Sequence, residues 1–281
     1  MQTLSLVIPV LVMLALLPAP ADANGDMSHT APAQNSRVVH VSEATWTPLN
    51  PARGAASPQA ATLWGDRNEA IPTGFLVRFV DGFSSPPHIH NITYRAVVIN
   101  GLVHNDDPDA AMMWMPAGSF WTQPAGEPHI TAAKGTPNLA LVEIDRGPYL
   151  VRPVEQAFDS GERPLNLHAA NLVWVPLAGQ PPSAGGVRIA YLWGELADEA
   201  WRGTFLKLPA GFKGSISSGG AALHAVVVSG KLVHQGDAEQ SLTPGSYFGA
   251  SDGAAHRIAA GAEETVLYIR SKGAYGLRPR P

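Results

Sequence analysis

His88 and His90 stand one residue apart in the stretch GFSSPPHIHNITYRAVVING, residues 82–101, and Tyr94 follows His90 by four positions. In an extended segment, residues two apart point to the same side, so both imidazoles project from one face. Two such rings, neutral near pH 7, make a bidentate clamp for a divalent transition metal. Taken alone, the pair describes equally well two histidines decorating a surface strand. The surroundings say more. A second stretch, GSFWTQPAGEPHITAA at residues 118–133, carries Gly118, Pro124, Gly126 and His129 at set intervals.

Together the two stretches resemble the paired signatures of the cupins, G-x5-H-x-H-x3-E-x6-G and G-x5-P-x-G-x2-H-x3-N. Gly82, His88, His90 and Gly101 fall on the first in register, and Gly118, Pro124, Gly126 and His129 on the second. Two positions depart from the pattern: Tyr94 stands where the family has glutamate, and Ala133 where it has asparagine. The resemblance implies an all-β chain with a small jelly-roll barrel in each half. It also implies a centre of His88, His90 and His129 in the first half, holding one divalent transition metal ion: Fe, Cu or Zn, with Mn or Ni as further options. Gly101 and Gly126 suit turns that need positive φ, and Pro124 fixes the bend that returns His129 toward the pair.

The family's glutamate lends negative charge to the metal. Without it, three neutral imidazoles leave a site near +2 with an open position. Such a site attracts an anionic or chelating substrate and polarises its oxygen. Tyr94 is the candidate catalytic residue. It is a hydrogen-bond donor that orients substrate, a filler of the glutamate's volume, or a phenolate ligand, and the sequence leaves these open. The resemblance implies a dioxygenase-like, metal-dependent oxidoreductase acting on a small oxygenated or anionic organic molecule. Two alternatives stand beside it: a non-catalytic protein that binds a metal or a sugar acid or other carboxylate, and hydrolysis or isomerisation at zinc. Glu127 and Arg95 neighbour the motifs, but neither is marked as a general base.

The elements that position these residues occur twice. ATWTPL at 44–49 answers LVWVPL at 172–177, TGFLVRFVDGF from Thr73 answers RGTFLKLPAGF from Arg202, and PYLVRP from Pro148 answers AYGLRP from Ala274. The separations stay between 126 and 129 residues, the mark of a duplicated domain. Short apolar runs such as AVVING and LALVEID alternate with Gly, Pro, Asn and Asp clusters, which reads as strands throughout. The halves are expected at 37–163 and 164–281, meeting near residues 159–166.

In the second copy, Ser217 and Gly219 fall where the histidine pair belongs, Leu223 falls at Tyr94, and only His256 answers His129. That half is expected to be a scaffold or a dimerisation unit giving a homodimer. His224 and His256 could meet in its pocket, although a structural histidine is the plainer reading. RAVVINGLVH from Arg95 matches HAVVVSGKLVH from His224, which pairs His104 with His234 in a shared structural role. His104, if turned inward, could instead shuttle protons. Trp46, Trp174, Trp64 and Trp193 pair across the repeat as core residues, whereas Trp114 and Trp121 have no tryptophan counterpart and could line the first pocket.

The 281-residue chain carries a formal net charge of -4 with scattered basic residues, so no footprint for nucleic acid is present. The apolar run at 4–17, followed by prolines and Ala21-Asp22-Ala23, reads as a secretory leader cut after Ala23, although no Lys or Arg precedes it. The protein is therefore expected in the periplasm or secreted, with no membrane role after cleavage and a polar lead-in over residues 24–36. With no cysteine, no disulfide can brace it.

Overall fold

A computed structural model describes residues 36–178, 186–219, 221–236 and 238–280. The expected leader at 1–23 and the lead-in up to Asn35 lie outside the described residues, and Ser36 already begins a strand. The described chain is all-β, with four short 3-10 turns and no longer helix. Strand-forming runs of Val, Ile, Phe and Thr supply the ladders, and the Gly and Pro clusters supply the turns.

The first half builds an eight-stranded antiparallel sheet in which Tyr94–Asp106 and Ile130–Ile144 are the central pair. Register shifts between Val98 and Leu102 bend Tyr94–Asp106, the usual effect of bulges. In the second half the matching strands are interrupted, giving a seven-stranded sheet and a five-stranded one. Three apolar layers result. Phe75, Val98, Trp121 and Val142 fill the first half, and Leu206, Phe212, Val227 and Phe248 fill the second. Leu63, Leu76, Phe120 and Leu141 of the first half pack on Phe205, Val226 and Tyr268 of the second. Each large side chain so buried contributes roughly 1.5–3 kcal/mol.

The halves meet about a local two-fold. Arg95 lies over Trp193 at 3.9 Å, and its counterpart His224 stacks on Trp64, the counterpart of Trp193, at 4.6 Å. Contacts of the form i to j and j to i are the signature of an isologous interface. The leading strands are exchanged in the same way: Ser36–Val39 pairs with Tyr247–Ala250 of the second half, and Leu165–Leu167 pairs with Phe120–Thr122 of the first. Two strand pairings therefore cross the expected dividing line, and each sheet is completed by the other copy.

His224 is thus an interface residue with a structural role, the plainer of the two readings, and it does not meet His256. Its Nδ1 bonds the Tyr247 hydroxyl at 2.9 Å, while its ring lies between Trp64 and Trp201. His256 instead pairs with His234, at 3.0 Å between ring nitrogens. The twin LVH phrases mislead by one residue: cross-strand register sets His234 opposite Ile258, as Asn105 is set opposite Thr131. A one-residue slip turns a strand side chain to the other face. His234 therefore occupies the interior position of Asn105, and His104 faces outward beneath Met113 and Trp114.

Burial, then the charge of Arg270, draws the His224 imidazolium down to about 3, and burial, then His234, draws His256 down to about 4. Both rings are neutral when folded and titrate near 6.5 when unfolded, so the unfolded chain takes up protons first as pH falls. Stability, measured with a metal chelator present, is expected to be level above about pH 6.5 and to decline from there toward pH 4. A denaturant midpoint at pH 5 equal to that at pH 8 contradicts this.

Candidate metal centre

His88 and His129 are joined backbone to backbone: each amide donates to the other's carbonyl at 3.0 Å. That reciprocal pair sets the two side chains side by side, with ring centroids 4.2 Å apart. The short strand Ile89–His90 continues the segment and pairs with Val151–Arg152, and it aims His90 at the same point, 5.1 Å from the His88 ring and 5.3 Å from His129. Gly126, at φ 76°, donates its amide to the His90 carbonyl at 2.8 Å, and a Cβ there would lie 2.3 Å from the Phe158 carbonyl oxygen. Only glycine fits this close crossing.

One ligating nitrogen from each of His88, His90 and His129 lies within 4.8 Å of the others. His88 Nδ1 sits 3.0 Å from the Pro86 carbonyl and His129 Nδ1 3.1 Å from the Glu127 carbonyl. A carbonyl only accepts, so both Nδ1 atoms carry the hydrogen and both Nε2 lone pairs are left for an ion. Burial lowers the proton affinity of all three rings. His129 falls to about 3 through burial and the charge of His88, while the charge of Arg53 adds to the effect of burial at His88. Neutral, pre-oriented imidazoles whose free nitrogens converge fit a divalent transition metal.

Tyr94 enters this site at the start of its strand, its hydroxyl donating to Asn105 Oδ1 at 2.9 Å and standing 3.5 Å from His129 Nε2. The network runs one way. Thr131 also donates to Asn105 Oδ1, the Asn105 amide donates to Gln123, and Gln123 donates to the Glu127 carbonyl that orients His129. With its hydrogen committed to Asn105, Tyr94 presents only a lone pair toward the bare Nε2 of His129. Tyr94 therefore gives His129 no hydrogen and leaves that nitrogen's lone pair for an ion. Burial raises the pKa of Tyr94 against the pull of its hydrogen bonds, so the phenol is neutral. Accordingly, Tyr94→Phe is expected to keep metal affinity within a few-fold of wild type while losing about 1 kcal/mol of stability with its hydrogen bonds. Loss of metal from this variant on titration points to ligation by the phenolate instead.

Several residues here escaped the motifs. Asn105, Gln123 and Thr131 form the network behind Tyr94, and a run of polar residues at inward-facing strand positions was the available signal. Tyr149 is the other. Its ring stacks on His90 with centroids 4.4 Å apart, and its hydroxyl lies 3.3 Å from His90 Nε2. Its counterpart Tyr275 bonds Thr204 at 2.9 Å, but the first copy has Phe75 in place of Thr204, which leaves the Tyr149 hydroxyl to the site. Arg95 and the Glu127 carboxylate are not part of the centre: Arg95 pairs with Asp145 at 2.9 Å. Of the two unmatched tryptophans, Trp121 lines the cavity above the histidines, and Trp114 packs on His104 and Lys134.

That cavity holds about 880 Å³ and is lined by His88, His90 and Tyr149, by Phe79 and Phe83, and by Arg53 and Arg67, with His129 buried beside His88.

Solved structures with a similar fold agree with the architecture that the cupin resemblance implies. A candidate dioxygenase from Nostoc punctiforme matches with a TM-score of 0.64 at 12% identity, over 85% of this chain and 83% of that one. Oxalate decarboxylase from Lactobacillus farciminis, in complex with formate, matches with a TM-score of 0.56 at 12% identity over 89% and 90%. Escherichia coli YlbA matches with a TM-score of 0.56 at 15% identity over 84% and 90%. The chain shares its fold with these proteins. Residues 37–278 match the family described as a domain of unknown function, DUF4437, and the chain belongs to that family. No curated protein matches it.

Proposed function

We propose that the protein is an exported, metal-dependent enzyme of the oxygenase type, built as two tandem jelly-roll barrels, that transforms a small oxygenated or anionic organic molecule above His88, His90 and His129. The observation that carries this reading is the convergence of three neutral imidazoles, their ligating nitrogens within 4.8 Å of one another, beside a cavity of about 880 Å³ that His88 and His90 line. The similarity to a candidate dioxygenase and to an oxalate decarboxylase supports the reaction class by analogy of fold. The run at 4–17 and the Ala21-Asp22-Ala23 site support export.

A bound Fe, Cu, Zn, Mn or Ni ion would act as a Lewis acid on a substrate oxygen. The chain's own residues do the rest. Glu127 and Pro86 carbonyls hold His129 and His88 in the ligating tautomer. Tyr94 and Tyr149, both kept neutral by burial, set hydroxyls at the edge of the site to orient an oxygen-bearing substrate. Phe79, Phe83 and Trp121 exclude water from its walls. A second reading, a non-catalytic binding protein, draws on one observation: among the described residues no carboxylate lines the cavity to serve as a general base. The experiment is metal analysis of the purified mature chain, with oxygen uptake followed on diketones, phenols and sugar acids and with His129→Ala as control. Turnover lost in the control supports the enzyme, and metal binding without turnover of any of these supports the binding protein.

A further inference from the structure

The cavity above the histidines has a charge pattern that the metal centre does not require. Arg53 and Arg67 both line it, both are half-buried, and among the described residues neither forms an ion pair. An arginine carries five N–H donors, and these two use few of theirs. Arg53 gives one Nη2 hydrogen to the Ser84 carbonyl at 3.3 Å and rests its face on the Phe83 ring at 5.0 Å. Arg67 gives one to the Thr47 hydroxyl at 2.8 Å.

Both are held by local structure rather than left as free surface chains. Arg53 sits in the 3-10 stretch Pro51–Ala56, where Pro51 presets the first turn and the Asn50 side chain accepts from the Ala52 amide at 3.1 Å. The Arg67 carbonyl accepts from the Tyr149 amide at 2.8 Å, which ties this arginine's backbone to the residue stacked on His90. The same cavity has an apolar side, where Phe79 and Phe83 pack with centroids 5.2 Å apart and Val77 also lines it, and a polar side with Asn50, Ser85 and Thr131.

We propose that Arg53 and Arg67 form a carboxylate clamp at the cavity mouth, so that the ligand is an organic anion with an apolar body, an aryl or alkyl carboxylate, lying along Phe79 and Phe83 toward the histidines. The planar guanidinium fork matches a carboxylate in two parallel hydrogen bonds, and unpaired cations in a cavity free of lining acids select for negative charge. The apolar walls add affinity in proportion to the hydrocarbon they cover. This assignment rests on the histidine centre being the inner end of the cavity, and it adds the ligand's charge and shape.

The test is calorimetric titration of the mature chain, loaded with redox-silent zinc and also metal-free, with benzoate, benzamide and acetate. Benzoate is expected to bind at least about tenfold more tightly than benzamide or acetate, and more weakly as salt rises. Arg53→Gln is expected to lose roughly 10- to 100-fold in benzoate affinity, the range for hydrogen bonds to charged groups, with zinc content and melting temperature unchanged. Arg67→Gln is expected to lose a similar or smaller factor, with benzamide affinity unmoved in both. Equal binding of benzoate and benzamide, binding of neither, or benzoate affinity unchanged in both variants overturns the clamp. Acetate as tight as benzoate overturns the apolar body. Failure of the metal centre reads differently: wild type takes up no zinc, while the metal-free titrations still report on the arginines.

Discussion

Replacing His129 by alanine is expected to leave the purified protein unable to retain metal, with affinity reduced beyond the roughly 10–100-fold that loss of an outer-shell partner costs. His129 is fully buried, its Nδ1 hydrogen is spent on Glu127, and its Nε2 has no donor to replace a metal. Removing it leaves two imidazoles and an opening that water enters, and a two-ligand site of neutral nitrogens holds a divalent ion weakly. The backbone pairing of His88 with His129 survives, because it uses main-chain atoms only, so the variant should fold. The readouts are metal content after dialysis and the rise in melting temperature on adding zinc, which wild type should show and the variant should not. His88→Ala should show the same loss. A His129→Ala protein that keeps stoichiometric metal places the ion elsewhere.

Replacing Arg270 by methionine is expected to destabilise the protein by about 3–5 kcal/mol, the cost of removing one partner of a buried ion pair. Arg270 and Glu143 are each 1% exposed and 3.2 Å apart, and Arg270 also bonds Asp145 at 2.8 Å while lying over the Trp201 ring at 4.5 Å. They occupy matching positions of the two copies. Where equivalent residues meet about a two-fold, like charges would repel, and in this chain the copies carry opposite ones. Burial raises the Glu143 carboxyl against the pull of Arg270 and Arg95, so an unpartnered Glu143 would take up a proton rather than stay charged. The double variant Glu143→Met with Arg270→Met should recover much of the loss, since apolar residues of similar volume replace a buried pair at little cost. Equilibrium unfolding in urea measures both. A single variant within 1 kcal/mol of wild type would mean that the buried pair adds little to the apolar layer and the exchanged strands that join the halves.

The sequence by itself determined the strand class, the duplication and the three histidines, because each is carried by local chemistry. Apolar runs punctuated by Gly and Pro have no other use in so many short segments, and the glycines and proline around His88, His90 and His129 are turn requirements written at fixed spacing. Tyr94 was visible as a departure, but its role was not, since a phenol's behaviour depends on where its hydrogen goes. Asn105 takes it, eleven residues along the same strand and past bulges that the sequence marks only with Gly101. The paired His234 and His256 were decided by register, where one residue changes the face: the matched LVH phrases pointed to His104, and the ladder placed His234 inside. The exchange of Ser36–Val39 and Leu165–Leu167, the stacking of His224 on Trp64, and the Glu143–Arg270 pair belonged wholly to the tertiary structure. A duplicated sequence states that two similar units exist, but whether each completes itself or its twin depends on which apolar faces are left over once the sheets have formed.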